Sequence, residues 1–199
     1  MINPRPFPAT TWLLQGCYVV AEVVIGLNVT GYSFVDDTIS DLGATTSPGH
    51  AAMNVVFVVF GVSLGLGAWL LRDSRPPGRL ATASLVLWIV AGISSVAVGL
   101  TPNNLHPGLH GGVAAWVFVA QPLALVLLGL SLRERHRRFA AATVAVGVAS
   151  FVGSLGFLVL LNADHGAGAF ERLALWPGYL WVTVLAWSAW SAWTVEPQD

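Results

Sequence analysis

Apolar residues run through the chain in six stretches, near Thr11 to Val29, Ala51 to Leu71, Leu80 to Leu100, Gly111 to Leu132, Phe139 to Leu161 and Leu173 to Thr194. Each has the length, ~20 residues, that a helix needs to cross a bilayer. Polar residues fall mainly in the connections between them. The pattern predicts an all-α fold, a polytopic transmembrane bundle of six helices filling residues 1–199 as a single domain. The connections are too short to hold a soluble domain.

Charge is sorted between the two sets of connections. Arg5 precedes the first run, Arg72, Arg75 and Arg79 fill the second connection, and Arg133, Arg135, Arg137 and Arg138 fill the fourth. The opposite face keeps Arg172 as its single cation and carries Asp36, Asp37, Asp41, His50, His106, His110, Asp164, His165 and Glu171. By the positive-inside rule both termini are cytoplasmic and the acidic, histidine-bearing loops are extracytoplasmic. The expected localisation is the cell membrane, as a multi-pass protein.

Composition agrees: 55% of residues are hydrophobic and 10% charged, with a mean hydropathy of +0.71. So little polar surface does not cover a soluble globule. All nine basic residues are Arg, which with the heavy Ala, Gly, Val and Leu usage points to a high-GC bacterial genome and so to a bacterial inner membrane. The single cysteine, Cys17, excludes an intramolecular disulfide, a CxxC motif and a Cys-based zinc motif, and reads as a packing residue. The N-terminus shows no small-x-small cleavage site after the first run, so that helix is expected to be retained.

Helices gain little from the hydrophobic effect when they associate in lipid, so small residues must let them approach. Gly61, Gly65 and Ala68 in the second run, and Gly147, Ser150 and Ser154 in the fifth, with Gly153 and Gly156 nearby, are the expected contact faces. Trp12, Trp69, Trp190 and Trp193 fall near the inner boundary and Tyr32, Phe34, Trp176 and Tyr179 near the outer one, as in aromatic belts. Pro122 is expected to kink the fourth helix, with Gln121 supplying polar groups to a neighbour. Glu22 is the one acid inside a span, and Gln15, Tyr18, Glu22 and Gly26 recur on one helical face as a polar stripe leading to the outward loops. Such an acid must face the protein interior or be protonated. A hydrogen bond to Ser94 or Ser95 for helix association is its structural alternative.

The outward loops read GYSFVDDTISDLGATTSPGH, TPNNLHPGLH and NADHGAGAFER. Ser40 or Asp41 is placed to cap a short helical turn, and Pro107 suits the first position of the fourth helix. His106 and His110, four apart, share a face if that helix starts by His106, and with Asp41 they would make a zinc site with an open position. Zinc is thus possible, but no metal is favoured. The metal-free reading assigns acid-base chemistry to Asp41, His110, Glu22 and Glu171, with Arg172, Ser40, Asn104, Asp164 and His165 binding the substrate. The structural alternative for Arg172 is a salt bridge to Asp41 or Glu171 tying two loops. PGH at 48–50 and PGLH at 107–110 both precede inward-running helices, a weak sign of hairpin duplication. There is no P-loop, Rossmann glycine fingerprint, GxSxG elbow, HExxH motif or basic nucleic-acid patch.

TISDLGA after the first run, His110 entering the fourth with Pro122 further along it, and Gly168-x-x-Glu171-Arg172 before the sixth resemble the domain of unknown function 998 family of prokaryotic integral membrane proteins. The resemblance spans nearly the whole chain in the same six-helix order. It implies signature positions at Ser40, Asp41, Leu42, Gly43, His110, Glu171 and Arg172, and no reaction. The leading expectation is a polar pocket at the extracytoplasmic face that binds or acts on a small amphiphile, a lipid or isoprenoid. The alternatives are a non-catalytic membrane subunit docking a membrane-protein partner and a zinc-dependent hydrolase of membrane lipid amides or esters. A transporter is disfavoured by six helices with a single intramembrane acid.

Overall fold

The computed structural model describes residues 6–73, 75–163 and 165–195, with side chains over 10–73, 75–163 and 165–188. The described residues form eight α-helices and one short 3-10 turn: α1 (Pro6–Leu13), α2 (Gln15–Leu27), α3 (Ile39–Leu42), α4 (His50–Leu70), α5 (Arg79–Leu100), α6 (Pro107–Leu132), α7 (Arg137–Leu160) and α8 (Ala167–Val195), the turn following α4 at Leu71–Asp73. Five segments are long and apolar enough to cross a membrane: Thr10–Leu27, His50–Asp73, Arg79–Leu100, Pro107–Leu132 and Arg137–Leu160. The chain is a multi-pass membrane protein.

The first run is one membrane-length segment with a seam. α1 and α2 meet at Leu14, whose carbonyl takes the Cys17 N–H at 2.9 Å in a tighter turn. α2 stops at Leu27, before the expected Val29, because Asn28 turns its side-chain amide back onto the Val24 carbonyl at 2.8 Å. Gly31 then takes a positive φ of 82°, open to glycine at no steric cost. α6 and α8 start earlier than their apolar runs, at Pro107 and Ala167. The added residues bring His110 into α6 and Glu171 and Arg172 into α8.

Sequential helices pack pairwise from α4 to α8, and α1 and α2 contact both α4 and α8, closing the bundle. The contacts are made where the small residues permit. A β-carbon on Gly61 would sit 2.7 Å from the Gly92 carbonyl oxygen, and one on Gly147 2.9 Å from that of Pro122. Gly153 and Gly156 instead face α8, against Ala174 and Phe170. The core between these contacts is aromatic and aliphatic: Trp88, Tyr18, Met53, Leu64, Leu125 and Val182 are fully buried.

Two aromatic residues expected at the interfaces lie in the core instead. Trp12 is 4% exposed, donates its indole N–H to the Leu64 carbonyl at 3.1 Å and packs on Trp88, so it belongs to the core rather than to an interfacial belt. Tyr179 is likewise buried against Tyr18. Trp69 is half exposed with Arg72 stacked over its ring at 4.0 Å, as an interfacial residue would be. Trp190 and Trp193 lie outside the described side chains.

α6 continues through Pro122. Proline has no N–H for the carbonyl four residues back, and that carbonyl, on Phe118, accepts instead from the Ser154 hydroxyl of α7 at 2.9 Å. Gln121 beside it donates to the Ala174 and Leu175 carbonyls of α8, at 3.3 and 3.0 Å. Ser154→Ala would leave the Phe118 carbonyl without its donor and is expected to cost about 1 kcal/mol. Unfolding in mixed micelles checks this; an unchanged midpoint would mean that the proline site does not depend on α7.

Candidate functional site

The first outward connection and the start of α8 are built onto one another. The first turn of a helix has backbone N–H groups with no partner inside the helix. In α8 the Gly168 and Ala169 N–H groups are taken by the Asp36 and Val35 carbonyls, at 3.2 and 2.8 Å. Asp36 also accepts the Gly166 N–H on its carboxylate at 3.1 Å. This contact, with the Ser33 hydroxyl, holds its carboxyl below the usual carboxylate range.

Arg172 locks the junction from below. Its Nη1 donates to the carbonyls of Phe34, Asp37 and Gly168, at 2.7, 3.0 and 2.9 Å. Its Nη2 reaches the Tyr32 hydroxyl and Glu22 Oε1, the latter at 2.8 Å, and its Nε reaches the same oxygen at 3.1 Å. The second Glu22 oxygen accepts the Trp176 indole N–H at 2.6 Å. Both charged side chains are buried, 6% and 0% exposed. The polar stripe of α2 therefore meets this junction at Glu22, and Gln15, Tyr18, Glu22 and Gly26 are the buried positions of α2.

Glu22 thus meets Arg172, not Ser94 or Ser95, which bond the Val113 and Phe57 carbonyls. Arg172 pairs with neither Asp41 nor Glu171, and its guanidinium N–H groups are all engaged within the protein. Tyr32 and Trp176, read from sequence as belt residues, are members of this network. Burial pushes the Tyr32 hydroxyl well above its ordinary value, which keeps it a proton donor.

Above this pair lies a second group. Thr38 caps α3, accepting the Asp41 N–H, while the Asp41 carboxylate accepts the Thr38 N–H and hydroxyl, each at 2.8 Å. The cap is Thr38, not Ser40 or Asp41, and Asp41 is the reciprocal partner of a capping box. Asn103 donates to the other Asp41 oxygen at 2.9 Å, and Asn104 bonds both the N–H and hydroxyl of Thr45, tying the second outward loop to the first.

The cap frees Ser40 to turn inward. Its hydroxyl lies 2.9 Å from His110 Nε2, while His110 Nδ1 lies 2.6 Å from the Thr101 carbonyl oxygen. A carbonyl only accepts, so Nδ1 carries the proton and Nε2 presents a lone pair to Ser40. Glu171, 3% exposed, accepts the Ile39 N–H at 2.5 Å.

Ser40, His110 and Glu171 line one end of a cavity of about 560 Å³ that runs between α6 and α7. Thr38 and Asn103 join them, Ser154 and Asn162 add two further polar positions, and the remaining lining is apolar, with Phe118, Phe151, Leu155, Phe157 and Leu158 among its walls. Phe151, Leu155 and Leu158 are 40%, 51% and 68% exposed, so the cleft opens sideways, toward where lipid would lie. The buried Asn103 Oδ1 has no hydrogen-bond partner among the described residues.

Other expected site residues lie elsewhere. His106 is exposed and non-helical, at φ −138° ahead of α6, so it does not share a face with His110. His165 is exposed beside Asp36 at 3.4 Å. Asp164 lies outside the described residues. His106, His110 and Asp41 do not converge, and among the described residues no three His, Cys, Asp or Glu side chains gather as a metal site requires.

A family model for proteins of unknown function, DUF998, matches residues 15–188. The chain belongs to the DUF998 family. The match runs from the start of α2 far into α8 and includes both segments of the junction. No curated protein and no solved structure matches the chain. The residues that carried the resemblance divide by surroundings: Asp41, Gly43 and Arg172 bond within the scaffold and Leu42 is fully buried, whereas Ser40, His110 and Glu171 line the cleft. Gly43 leaves room for Asn54, whose amide bonds the Gly43 carbonyl at 3.0 Å.

Sequence reasoning passed over Thr38, Thr101, Phe118 and Phe151. Thr38-x-x-Asp41 is a readable capping-box pattern. The Thr101 carbonyl and the α7 wall carry no sequence signal, because a backbone acceptor and an apolar lining are invisible without the packing.

Proposed function

We propose that the protein binds a membrane amphiphile in the cleft between α6 and α7, its apolar chain along the phenylalanine and leucine walls and its polar head against Ser40, His110, Glu171 and Asn103. The observation that carries this reading is the shape of the cleft, largely apolar along its length, with Ser40, His110 and Glu171 gathered at one end and an opening to the side. Ligand sites are commonly apolar concavities with a few convergent polar groups. A sideways opening admits a molecule from the bilayer without passage through water.

The arrangement in the membrane follows from the same features. α8, at 29 residues, would be about 44 Å long at 1.5 Å per residue and serves as the sixth span. Arg72, Arg75 and Arg79 at one end of α4 and α5, and Arg133, Arg135, Arg137 and Arg138 between α6 and α7, support a cytoplasmic side for those ends and for both termini under the positive-inside rule. The polar end of the cleft then stands at the extracytoplasmic leaflet.

Purification in mild detergent followed by extraction and mass spectrometry is expected to recover a retained amphiphile. Ala115 lines the cleft and is exposed, so Ala115→Trp fills it and is expected to release that molecule while leaving the protein monodisperse. Equal retention by the variant, or none by the parent, defeats the reading.

A further inference from the structure

We propose that Ser40 is a nucleophile and His110 its general base, and that the amphiphile of the cleft is an acyl ester. The inference rests on the amphiphile reading above. It adds a reaction to it.

Three observations converge. The Ser40 hydroxyl and His110 Nε2 stand at hydrogen-bond distance, 2.9 Å, with the Thr101 carbonyl holding the proton on Nδ1, so Nε2 is in the form that accepts the serine proton. Ser40, half buried, forms part of the cleft wall, where a bound ester carbonyl meets it. Ser40 and Glu171 also line a second, smaller cavity of about 20 Å³, walled in part by Tyr18, Ser95 and Tyr179. That volume is enough for about one water, and the hydroxyl and carboxyl groups around it supply the partners a water needs. Ser40 therefore stands between a place for the acyl chain and a place for the water that would release it. A hydrogen bond made only to brace the loop on α6 requires neither cavity.

The reaction balances without a cofactor. Ser40 Oγ forms a bond to the ester carbonyl carbon as its proton passes to His110 Nε2. The bond to the leaving alcohol breaks, and that alcohol takes the proton from His110, which leaves acyl-Ser40 and neutral imidazole. Water then adds to the acyl carbon while giving a proton to His110, and that proton returns to Oγ as the carboxylic acid departs.

A long-chain alkyl fluorophosphonate tests this, with peptide mass spectrometry to locate the adduct and a photoreactive fatty acid as a non-hydrolysable probe of the cleft. The expected result is phosphonylation of Ser40, slowed by about 10²- to 10⁴-fold in His110→Gln, with photolabelling of α6 or α7 in the parent protein. Should His110→Gln fail to fold, the adduct on the parent protein decides. Photolabelling of the cleft with Ser40 unmodified overturns the nucleophile and leaves the amphiphile reading standing. Absence of both labels overturns both. Labelling at the parent rate in folded His110→Gln removes His110 as the base.

Discussion

Arg172→Leu is expected to destabilise the protein by about 3–5 kcal/mol, the cost of leaving one member of a buried ion pair alone. Glu22 has 0% side-chain exposure and two of its three donor contacts come from Arg172. Within a bilayer there is no water to replace them. Arg172→Lys is expected to rescue little, because one ammonium cannot bond Glu22 on one side and three backbone carbonyls on the other as the planar guanidinium does. The double variant Glu22→Leu with Arg172→Leu separates the two functions of the residue. It removes the stranded carboxylate and should recover part of the loss. It still leaves the Phe34 and Asp37 carbonyls without their donor, each worth about 1–3 kcal/mol if they stay buried. Unfolding midpoints of the three variants in one detergent check the order: single leucine variant lowest, double variant intermediate, parent highest. A double variant no more stable than Arg172→Leu would show that the guanidinium acts on the loop alone.

How far the sequence reveals this site depends on the distance between its parts. The α2 stripe is legible because Gln15, Tyr18, Glu22 and Gly26 fall at helical spacing, and those are the residues buried in α2. The partner of Glu22 is 150 positions away, and nothing local distinguishes an arginine that pairs with an interior acid from one that holds a phosphate. Trp12 shows the same limit from the other side. Its depth alone suggests a belt, yet it stands three residues before Gln15 and is buried on the same side as the stripe. Rotation around the helix, not depth alone, decided its environment.

The histidines follow a similar rule. His106 and His110 are four apart, but the first is outside the helix, so the regular spacing that would align them never applies. Ser40 and His110 are brought together by two loops, and each loop is held by polar contacts spread over the sequence: Asn103 to Asp41, Asn104 to Thr45. The charge sorting and the six runs reflect the solvent, water or lipid, that each segment meets, and a single sequence carries that information directly. The cleft reflects where α6 and α7 fail to touch, which depends on side chains from both.

Gly168→Ala is expected to lower stability by about 1–3 kcal/mol, although alanine is the better helix former by about 0.5–1 kcal/mol. A methyl at that position of α8 would overlap the Asp37 carbonyl oxygen and stand 2.8 Å from Arg172 Nη1. Neither neighbour yields easily. The Asp37 carbonyl is held by Arg172, and the backbone beside it accepts the Gly168 N–H itself through Asp36. The strand of loop must therefore move, and it carries Thr38, Ile39 and Ser40 one to three positions on from the clash. The variant should weaken the Ile39 contact with Glu171 and the Ser40 contact with His110, so retained amphiphile and Ser40 phosphonylation both fall with it. Gly112→Ala provides the opposite sign, because a β-carbon there meets nothing within 4 Å. It is expected to leave stability unchanged or raise it by up to about 1 kcal/mol. Thermal unfolding of the two variants side by side in one detergent is the measurement. If Gly168→Ala matches Gly112→Ala, the glycine of the Gly-x-x-Glu-Arg element is not there to admit the loop, and the close approach of loop and helix does not govern the site.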